Sequence, residues 1–323
     1  MKTLNKLYLL LIFSALFFSC DDVFEDDISD DSIQLIHPQN NQEVASNVVA
    51  FQWGALEGAD KYRVQVFNSN QSVALDSLVS ATNLTHPMNP GTYQWRVRGE
   101  NSAYTSSYSF ASNFSVIETI DLNNYQVVLL NPSNDLFTNN SSIIFSWQPI
   151  NVAESYSFEL INVSAGNSII HQVSGLTAST LSLNSSVINT DATYQWKVKA
   201  VNSSSETLYS NRGFSLDTVN PNQPINISPV NDFSQDSSAD PISFSWSIPS
   251  DTGVVQSGIT YNIEFSNSIN FTPILQTSTV GTISFEQAFQ STGIYYWRVI
   301  AKDAAGNEAT ATQIVTEEDR EAP

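Results

Sequence analysis

The sequence predicts an all-β protein built from three tandem β-sandwich domains. Its six tryptophans occur in two contexts, one of each per repeat: FQW or FSW ending at Trp53, Trp147 and Trp246, and YQWRV, YQWKV or YYWRV around Trp95, Trp196 and Trp297. The second set is spaced by 101 residues both times. Apolar and polar residues alternate around these tryptophans with a period of two, which is typical of strands with one face on a core.

Each repeat follows the same order of elements. A turn rich in proline and asparagine opens the repeats at His37, Asn131 and Ser228, and such residues favour turns. A strand then ends at the first tryptophan, and a second strand begins at Lys61, Ser155 or Thr260. Several short strands separated by turns, in units of about 100 residues, indicate β-sandwiches. We place the domains at residues 33–117, 125–217 and 222–316.

The strand that carries the second tryptophan shows the alternation most clearly. In the first repeat Tyr93, Trp95 and Val97 alternate with Gln94 and Arg96. This pattern directs the tryptophans inward, so we expect them to form cores rather than a platform for carbohydrate stacking. No stretch of the chain after the leading segment has a sustained helical period.

These residues resemble fibronectin type III domains, a class of Ig-like sandwich, across nearly all of 33–316. The first set of tryptophans matches the core tryptophan of strand B in that family. Tyr93, Tyr194 and Tyr295 match the tyrosine at the start of strand F, which packs and bonds back to the backbone. Repeat 1 departs most, since its tryptophans are 42 residues apart against 49 and 51 in the other repeats, and repeat 3 has an insertion near Ser250.

Composition excludes several classes of function. The chain has 323 residues, with 12 basic against 32 acidic ones and a formal net charge of −20. A surface this acidic repels nucleic acid and anionic lipid headgroups. Cys20 is the single cysteine, so no intramolecular disulfide can form. The three histidines are far apart in sequence, and we expect no metal site and no cofactor.

The first twenty residues have the pattern of a secretory signal peptide, predicted over 1–19. Lys2 and Lys6 precede an apolar run from Leu7 to Phe18, which is short for a membrane span. The segment ending at Cys20 resembles the lipobox of bacterial lipoproteins, although Phe17 and Phe18 depart from its usual residues. The resemblance implies lipidation of Cys20, and acyl chains would anchor the protein to a membrane.

An acidic segment follows the cysteine. Seven of the eleven residues from Asp21 to Asp31 are acidic, which is typical of a solvated, disordered tether. We therefore predict a lipidated tether over 20–32, and an acidic tail over 317–323. The tether also resembles the export signal of surface-exposed lipoproteins of the Bacteroidetes. That resemblance implies a lipid-anchored position on the outer membrane, facing the medium.

Aromatic residues outside the alternation are the candidates for ligand stacking. Tyr104 in repeat 1 and Phe271 in repeat 3 lie in predicted loops. Tyr108 and Tyr209 both stand 13 residues after the second tryptophan of their repeat, which predicts a shared role near strand G.

Acidic residues do not form a recognisable catalytic pattern. Glycoside hydrolysis needs two carboxyl groups at a defined separation, and repeat 3 offers the acidic residues Asp251, Glu264, Glu286 and Asp303. Glu264 alternates outward on its strand, so a solvated face is the better interpretation. Loops such as those at Asp251 and Asp303 could hold calcium in surface adhesins, but as they stand they lack the dense alternating oxygen ligands of a calcium site. We predict that the protein is not an enzyme.

Three short motifs resemble O-glycosylation sites of exported Bacteroidetes proteins. Each consists of aspartate, then serine or threonine, then an apolar residue, and they place the modified hydroxyl at Ser32, Ser77 and Thr218.

The function predicted from these features is that of a cell-surface lipoprotein acting as an adhesion or protein-interaction module, or as a spacer. The alternative is a glycan-binding accessory lipoprotein of a polysaccharide-uptake system. Its partners would be the outer membrane, through the lipid, and a surface protein or polysaccharide. An exposed aromatic platform would favour glycan binding, whereas a flat polar surface or an open strand edge would favour protein contact.

Overall fold

The computed structural model describes residues 25–235, 240–311 and 314–318. The predicted signal peptide, Cys20 and most of the predicted acidic tail lie outside these residues. Contacts divide the chain into two compact units, Met1–Glu118 and Thr119–Pro323. The first unit holds repeat 1, and the second holds repeats 2 and 3.

The first unit contains one sandwich of two sheets. The smaller sheet has the order β1-β3-β6 and the larger one β2-β8-β7-β4-β5. The strands are β1 Leu35–His37, β2 Gln42–Val44, β3 Val48–Trp53, β4 Lys61–Asn68, β5 Val73–Val79, β6 Asn83–Pro87, β7 Gly91–Glu100 and β8 Ser112–Val116.

Repeat 2 has the same topology in the second unit. Its sheets have the orders β9-β11-β14 and β10-β16-β15-β12-β13. A short 3₁₀ helix at Leu122–Asn124 precedes the strands. These are β9 Leu129–Asn131, β10 Leu136–Thr138, β11 Ile143–Trp147, β12 Ser155–Asn162, β13 Ser168–Leu176, β14 Thr180–Leu183, β15 Ala192–Val201 and β16 Ser210–Leu216.

Repeat 3 completes the second unit. Its sheets have the orders β17-β19-β22 and β18-β25-β23-β20-β21, and β24 pairs with β23. The strands are β17 Asn226–Ser228, β18 Phe233–Gln235, β19 Ile242–Trp246, β20 Thr260–Ser266, β21 Gln276–Val280, β22 Ser284–Gln287, β23 Gly293–Lys302, β24 Glu308–Thr310 and β25 Ile314–Glu318. The common strand order confirms the all-β class of three tandem fibronectin-like sandwiches.

The predicted opening turn is where the chain changes sheets in every repeat. The first short strand pairs antiparallel in the smaller sheet, and the second pairs parallel with the last strand of the larger sheet. A cis X–Pro bond lies between them at Pro38, Pro132 and Pro229. The residue immediately before the second strand has positive φ and is Asn41, Asp135 or Asp232, residue types that tolerate this conformation.

Each repeat has its own hydrophobic core, and the tryptophans are at its centre. All six are 2% exposed or less, which confirms that they pack inward. A phenylalanine two residues before the first tryptophan packs edge-on against the second one. The centroid distances are 5.1 Å for Phe51–Trp95, 5.2 Å for Phe145–Trp196 and 5.1 Å for Phe244–Trp297. Such pairs contribute about 0.5–1.5 kcal/mol beyond their burial.

The tyrosine expected at the start of strand F bonds to the backbone in all three repeats. The hydroxyls of Tyr93, Tyr194 and Tyr295 donate to the carbonyl oxygens four residues earlier, at 2.9, 2.6 and 2.9 Å. These bonds hold the approach to the strand against the body of the sandwich.

The described part of the predicted tether is packed, not free. Ile28 is 1% exposed, and the side-chain amide of Asn101 donates to the carbonyl of Asp26 at 2.9 Å. Ile28 lies over Gly58 and Gly99, where a Cβ would come within 3.1 and 3.7 Å of it. The acidic composition gave no indication that Ile28 would be buried, so the expectation of a disordered tether is wrong for residues 25–31.

Among the described residues, no helix is long and apolar enough to span a bilayer.

Candidate functional site

The two candidate stacking residues have different environments. Tyr104 is 37% exposed in the loop after β7, where its backbone pairs with Asn101. Phe271 is only 5% exposed. The guanidinium carbon of Arg298 lies 4.2 Å from the centroid of the Phe271 ring. The prediction that Phe271 is an open stacking surface is therefore wrong, because its ring packs under a cation from β23.

An exposed aromatic ring that sequence reasoning did not select lies in repeat 1. Phe110 is 98% exposed and borders an open groove of about 660 Å³, whose lining includes Ile33, Leu35 and Pro38. Phe110 precedes β8 in a stretch of mixed polar and apolar residues, so no alternation marked it as exposed. With Tyr104, it gives repeat 1 two accessible aromatic side chains.

Tyr108 and Tyr209 share an environment, as their equivalent positions predicted. The guanidinium carbons of Arg96 and Arg98 lie 4.0 and 4.9 Å from the Tyr108 centroid. The Nζ atoms of two lysines on β15 lie 4.7 and 5.3 Å from the Tyr209 centroid. Both rings therefore cover cations of the neighbouring strand, which makes them parts of the sheet surface.

Tyr209 also belongs to an ion pair in repeat 2. Its hydroxyl donates to Glu159 Oε1 at 2.9 Å, and Lys197 Nζ lies 2.7 Å from Glu159 Oε2. Burial, followed by the bond to Glu159, raises the pKa of Tyr209 to about 12. The hydrogen bond from Lys197 is the main cause that lowers the pKa of Glu159. This carboxylate is thus held ionised, the opposite of what a general acid requires.

The acidic residues of repeat 3 do not form a catalytic pair. Glu264 bonds Arg298 at 2.7 Å, and Glu286 lies on β22 in the other sheet. Asp251 and Asp303, however, come together with Asp217, which the sequence analysis had placed only in a glycosylation motif. One carboxylate oxygen from each of these three residues lies within 4.8 Å of the others. We call Asp217, Asp251 and Asp303 the aspartate cluster.

The backbone around the aspartate cluster positions its side chains. Asp217 directly follows β16, and its N–H donates to the carbonyl of Thr138 at 3.0 Å. Asp303 directly follows β23, and its Oδ1 accepts from the N–H groups of Gly306 and Asn307. Gly306 has a φ of +97°, a conformation that glycine adopts without strain. Asp251 accepts from Thr252 and Ser257 within its own loop.

The electrostatics of the cluster are unfavourable for three anions. Asp217 is 0% exposed and Asp303 is 4% exposed. Burial, followed by the charges of Asp303 and Asp251, raises the pKa of Asp217. None of the three carboxylates takes part in the ion pairs formed within the described parts of the chain. Oxygen atoms gathered in this way could hold a hard cation.

Comparison of equivalent positions in the three repeats could have indicated part of the aspartate cluster. Asn101 and Asn202 stand six residues after the second tryptophan, and the same position in repeat 3 is Asp303. The change from an amide to a carboxylate at this position distinguishes the loop after β23 from the equivalent loops of repeats 1 and 2. The proximity of Asp217 and Asp251, at 34 residues' separation, had no local signal.

The three glycosylation candidates differ in access. Ser32 is exposed, Ser77 is partly buried on β5, and Thr218 is exposed. The Thr218 hydroxyl donates to Asp191 at 3.0 Å, so it is engaged in the folded chain.

Strand β13 lies at the edge of its sheet and offers backbone groups, not aromatic rings, as a contact surface. This nine-residue strand ends its five-stranded sheet and pairs only with β12. Ile169 is 52% exposed and Ile170 is 36% exposed on it. An edge strand presents unpaired N–H and C=O groups that can pair with another chain.

Comparison with known proteins returns fibronectin-type structures. The FN1-FN3 domains of chicken CNTN1 share 18% identity over 88% of this chain and 97% of that chain, with a TM-score of 0.43. The fibronectin(III)-like modules of Clostridium thermocellum CbhA share 14% identity over 61% of this chain and 97% of that chain, with a TM-score of 0.38. No family model and no curated protein matches the chain. The description as tandem fibronectin-like sandwiches rests on the strand order within each repeat.

Proposed function

We propose that the protein is a non-enzymatic cell-surface lipoprotein, anchored to the outer membrane through Cys20, that acts as an adhesion or protein-interaction module or as a spacer. Fibronectin-type sandwiches generally mediate protein contacts or spacing. The chain would carry its lipid at the base and present the surfaces of its repeats to a partner. The proposal includes the resemblance of the leading segment to surface lipoproteins of the Bacteroidetes type.

The open edge at β13 is the observation that carries the protein-interaction role. Its length and its exposed isoleucines suit strand addition, in which main-chain hydrogen bonds supply affinity and side-chain pockets supply specificity. Charged residues, which commonly protect such edges, are absent from Ser168–Leu176. A partner with an extended apolar segment would therefore fit this edge.

The distribution of basic residues argues against nucleic acid as a binding partner. Six of the nine basic residues in the described ranges take part in ion pairs, namely Arg63, Arg98, Lys197, Lys199, Arg298 and Lys302. The remaining positive charge is too sparse to form the basic stripe that phosphate binding requires.

Substitution on β13 tests the interaction role. Ile170→Lys introduces a charge that disfavours pairing at the edge. Ile144→Lys is the matched control, because Ile144 is 58% exposed on the central strand of the other sheet in the same repeat. In cross-linking on intact cells, we expect a surface partner to be recovered with the control and reduced at least tenfold with Ile170→Lys. Equal recovery would refute the edge as the contact, and no partner with any form would leave the spacer role.

The anchor is tested separately. Labelled palmitate should be incorporated into the native protein and lost in Cys20→Ala. Protease added to intact cells should remove the native protein if it faces the medium. Lipidation with complete protection from protease would contradict the surface location.

Glycan binding is the second candidate, and the two exposed aromatic rings of repeat 1 favour it. Tyr104 and Phe110 are the residues to change. Binding to one polysaccharide class on a glycan array, lost in Tyr104→Ala and Phe110→Ala but kept in Tyr209→Phe, would support a polysaccharide-uptake role. Tyr209 is a suitable control because its ring covers lysines of its own sheet.

A further inference from the structure

We propose that the aspartate cluster is a calcium site at the junction of repeats 2 and 3. Asp217 comes from the end of the last strand of repeat 2, whereas Asp251 and Asp303 come from two loops of repeat 3. The inference concerns the second unit alone and holds whether the protein binds a protein, a glycan or nothing else.

The spacing of the carboxylate oxygens suits one ion. Calcium binds oxygen ligands at 2.3–2.6 Å, so two ligands of one ion lie no further apart than about 4.6–5.2 Å. The three oxygens of the cluster lie within 4.8 Å of one another. One calcium ion placed between them can therefore contact all three carboxylates.

An unsatisfied oxygen independently indicates a missing ligand. Asp217 Oδ2 is buried and accepts no hydrogen bond within the described part of the chain, although Oδ1 of the same side chain accepts from Val219 N–H at 3.1 Å. A buried charged oxygen without a partner is costly. Because the carboxylate faces two others and forms no ion pair among the residues that the structure describes, a cation is the partner that we propose removes this cost.

The second repeat provides an internal comparison. There Asn202 occupies the position of Asp303, and its Nδ2 donates to the carbonyls of Ile120 and Val152 at 2.8 and 3.1 Å. Val152 stands five residues after its tryptophan, as Asp251 does in repeat 3. A neutral amide therefore joins the loops in repeat 2. Repeat 3 has carboxylates at both positions, and there the side-chain amide of Asn307 donates to the carbonyl of Asp217 at 2.9 Å and to Asp303 Oδ2 at 2.8 Å. This amide does not reach Asp217 Oδ2, which still faces the other two carboxylates without a partner in the described part of the chain.

The ligand atoms of the aspartate cluster indicate which class of metal it would bind. All three side chains offer hard oxygen ligands, and the cluster contains no histidine or cysteine, which disfavours zinc. Calcium accepts six to eight oxygens in flexible geometry, including backbone carbonyls and water, whereas magnesium demands a near-ideal octahedron. Loop ligands of unequal spacing fit calcium better.

Calcium titration of the purified protein tests the site. After treatment with EGTA, and in salt that screens the diffuse acidic surface, isothermal titration with CaCl₂ should show about one saturable ion per chain with a Kd of about 1 mM or tighter. Asp217→Asn and Asp303→Asn should each weaken binding at least tenfold. Asp232→Asn, an exposed aspartate in a turn of the same repeat, should change it less than twofold.

The same set of variants shows whether a loss of calcium binding is caused by misfolding. Asp303→Asn restores the residue type that repeats 1 and 2 carry at this position, and circular dichroism should show an unchanged fold. If Asp217→Asn fails to fold, Asp251→Asn replaces it. Calcium should also slow amide exchange at 217–219, 251–257 and 303–307 in the native protein and not in the Asp303→Asn variant.

Several results would overturn the proposal. These are the absence of saturable binding at millimolar calcium, and equal affinity in the native protein and both cluster variants. Equal affinity for magnesium would overturn the assignment to calcium. A gain in stability for Asp217→Asn without calcium, together with no calcium binding by the native protein, would mean that the cluster shares a proton instead.

Discussion

The tyrosine that precedes strand F offers a graded test of the packing argument, because the same hydrogen bond is partly buried in repeats 2 and 3 and exposed in repeat 1. Tyr194 is 1% exposed, Tyr295 is 9% exposed, and Tyr93 lies nearer the surface. Replacement by phenylalanine removes the hydroxyl and keeps the ring. The effect should therefore follow the burial of the hydrogen bond that is lost.

The expected magnitude follows from the partner atoms. In repeat 2, the change leaves the carbonyl of Thr190 without the donor that lies 2.6 Å away. Loss of one partner in a buried bond costs about 1–3 kcal/mol, whereas an exposed bond contributes about 0.5–1.5 kcal/mol. Tyr194→Phe should lower the local opening free energy by about 1–3 kcal/mol, and Tyr93→Phe by about 0.5 kcal/mol.

Hydrogen exchange measured by mass spectrometry is the suitable assay, since unfolding of a chain with three sandwiches is not a single two-state transition. At tenfold per about 1.4 kcal/mol, amides of β15 should exchange about 5- to 140-fold faster in Tyr194→Phe. Amides of the other repeats provide the control in the same sample. A larger effect for Tyr93→Phe than for Tyr194→Phe, or no effect at β15, would refute the reasoning.

Further predictions concern charge and core packing in repeat 2. Lys197 lowers the pKa of Glu159 in the folded state, so the stability from this pair is present above the unfolded pKa and is lost as pH falls through the folded one. Below about pH 4.5, the Tm of Glu159→Gln should therefore decrease less steeply with falling pH than the Tm of the native protein. An equal decrease in both proteins would contradict this. The raised pKa of Tyr209 adds stability that is present below about pH 10 and lost as pH rises towards 12. Tyr209→Phe should accordingly remove a phenol titration near pH 12 from the absorbance at 295 nm, and persistence of that step would assign it to another tyrosine. Phe145→Ala deletes a ring at 0% exposure and should cost about 3–5 kcal/mol. The neighbouring Ile144→Ala, at 58% exposure, should cost less than about 0.5 kcal/mol, with both effects measured as the opening free energy of repeat 2 by hydrogen exchange.

Residues whose role depends on local pattern were predictable. The alternation around Trp95 and Trp196 predicted that the tryptophans face inward, and the resemblance to fibronectin type III domains implied the tyrosines that bond back to the backbone. Phe271 and Ile28 were misjudged for one reason: each lies in an irregular segment without the alternation that shows which way a side chain packs. Phe271 lies in a loop and is covered by Arg298 from β23, and Ile28 lies against Gly58 and Gly99 of repeat 1.

By itself, the sequence determined the strand class, the number of repeats and the core, because period-two alternation and repeat phase are properties of neighbouring residues. The acidic character also follows from composition alone, and the lipid anchor stays a prediction from the position of Cys20. Only the tertiary structure decided that Asp217, Asp251 and Asp303, separated by 34 and 52 residues, share one buried space. Sheet pairing and loop packing set that proximity, and neither is encoded in the spacing of residues along the chain.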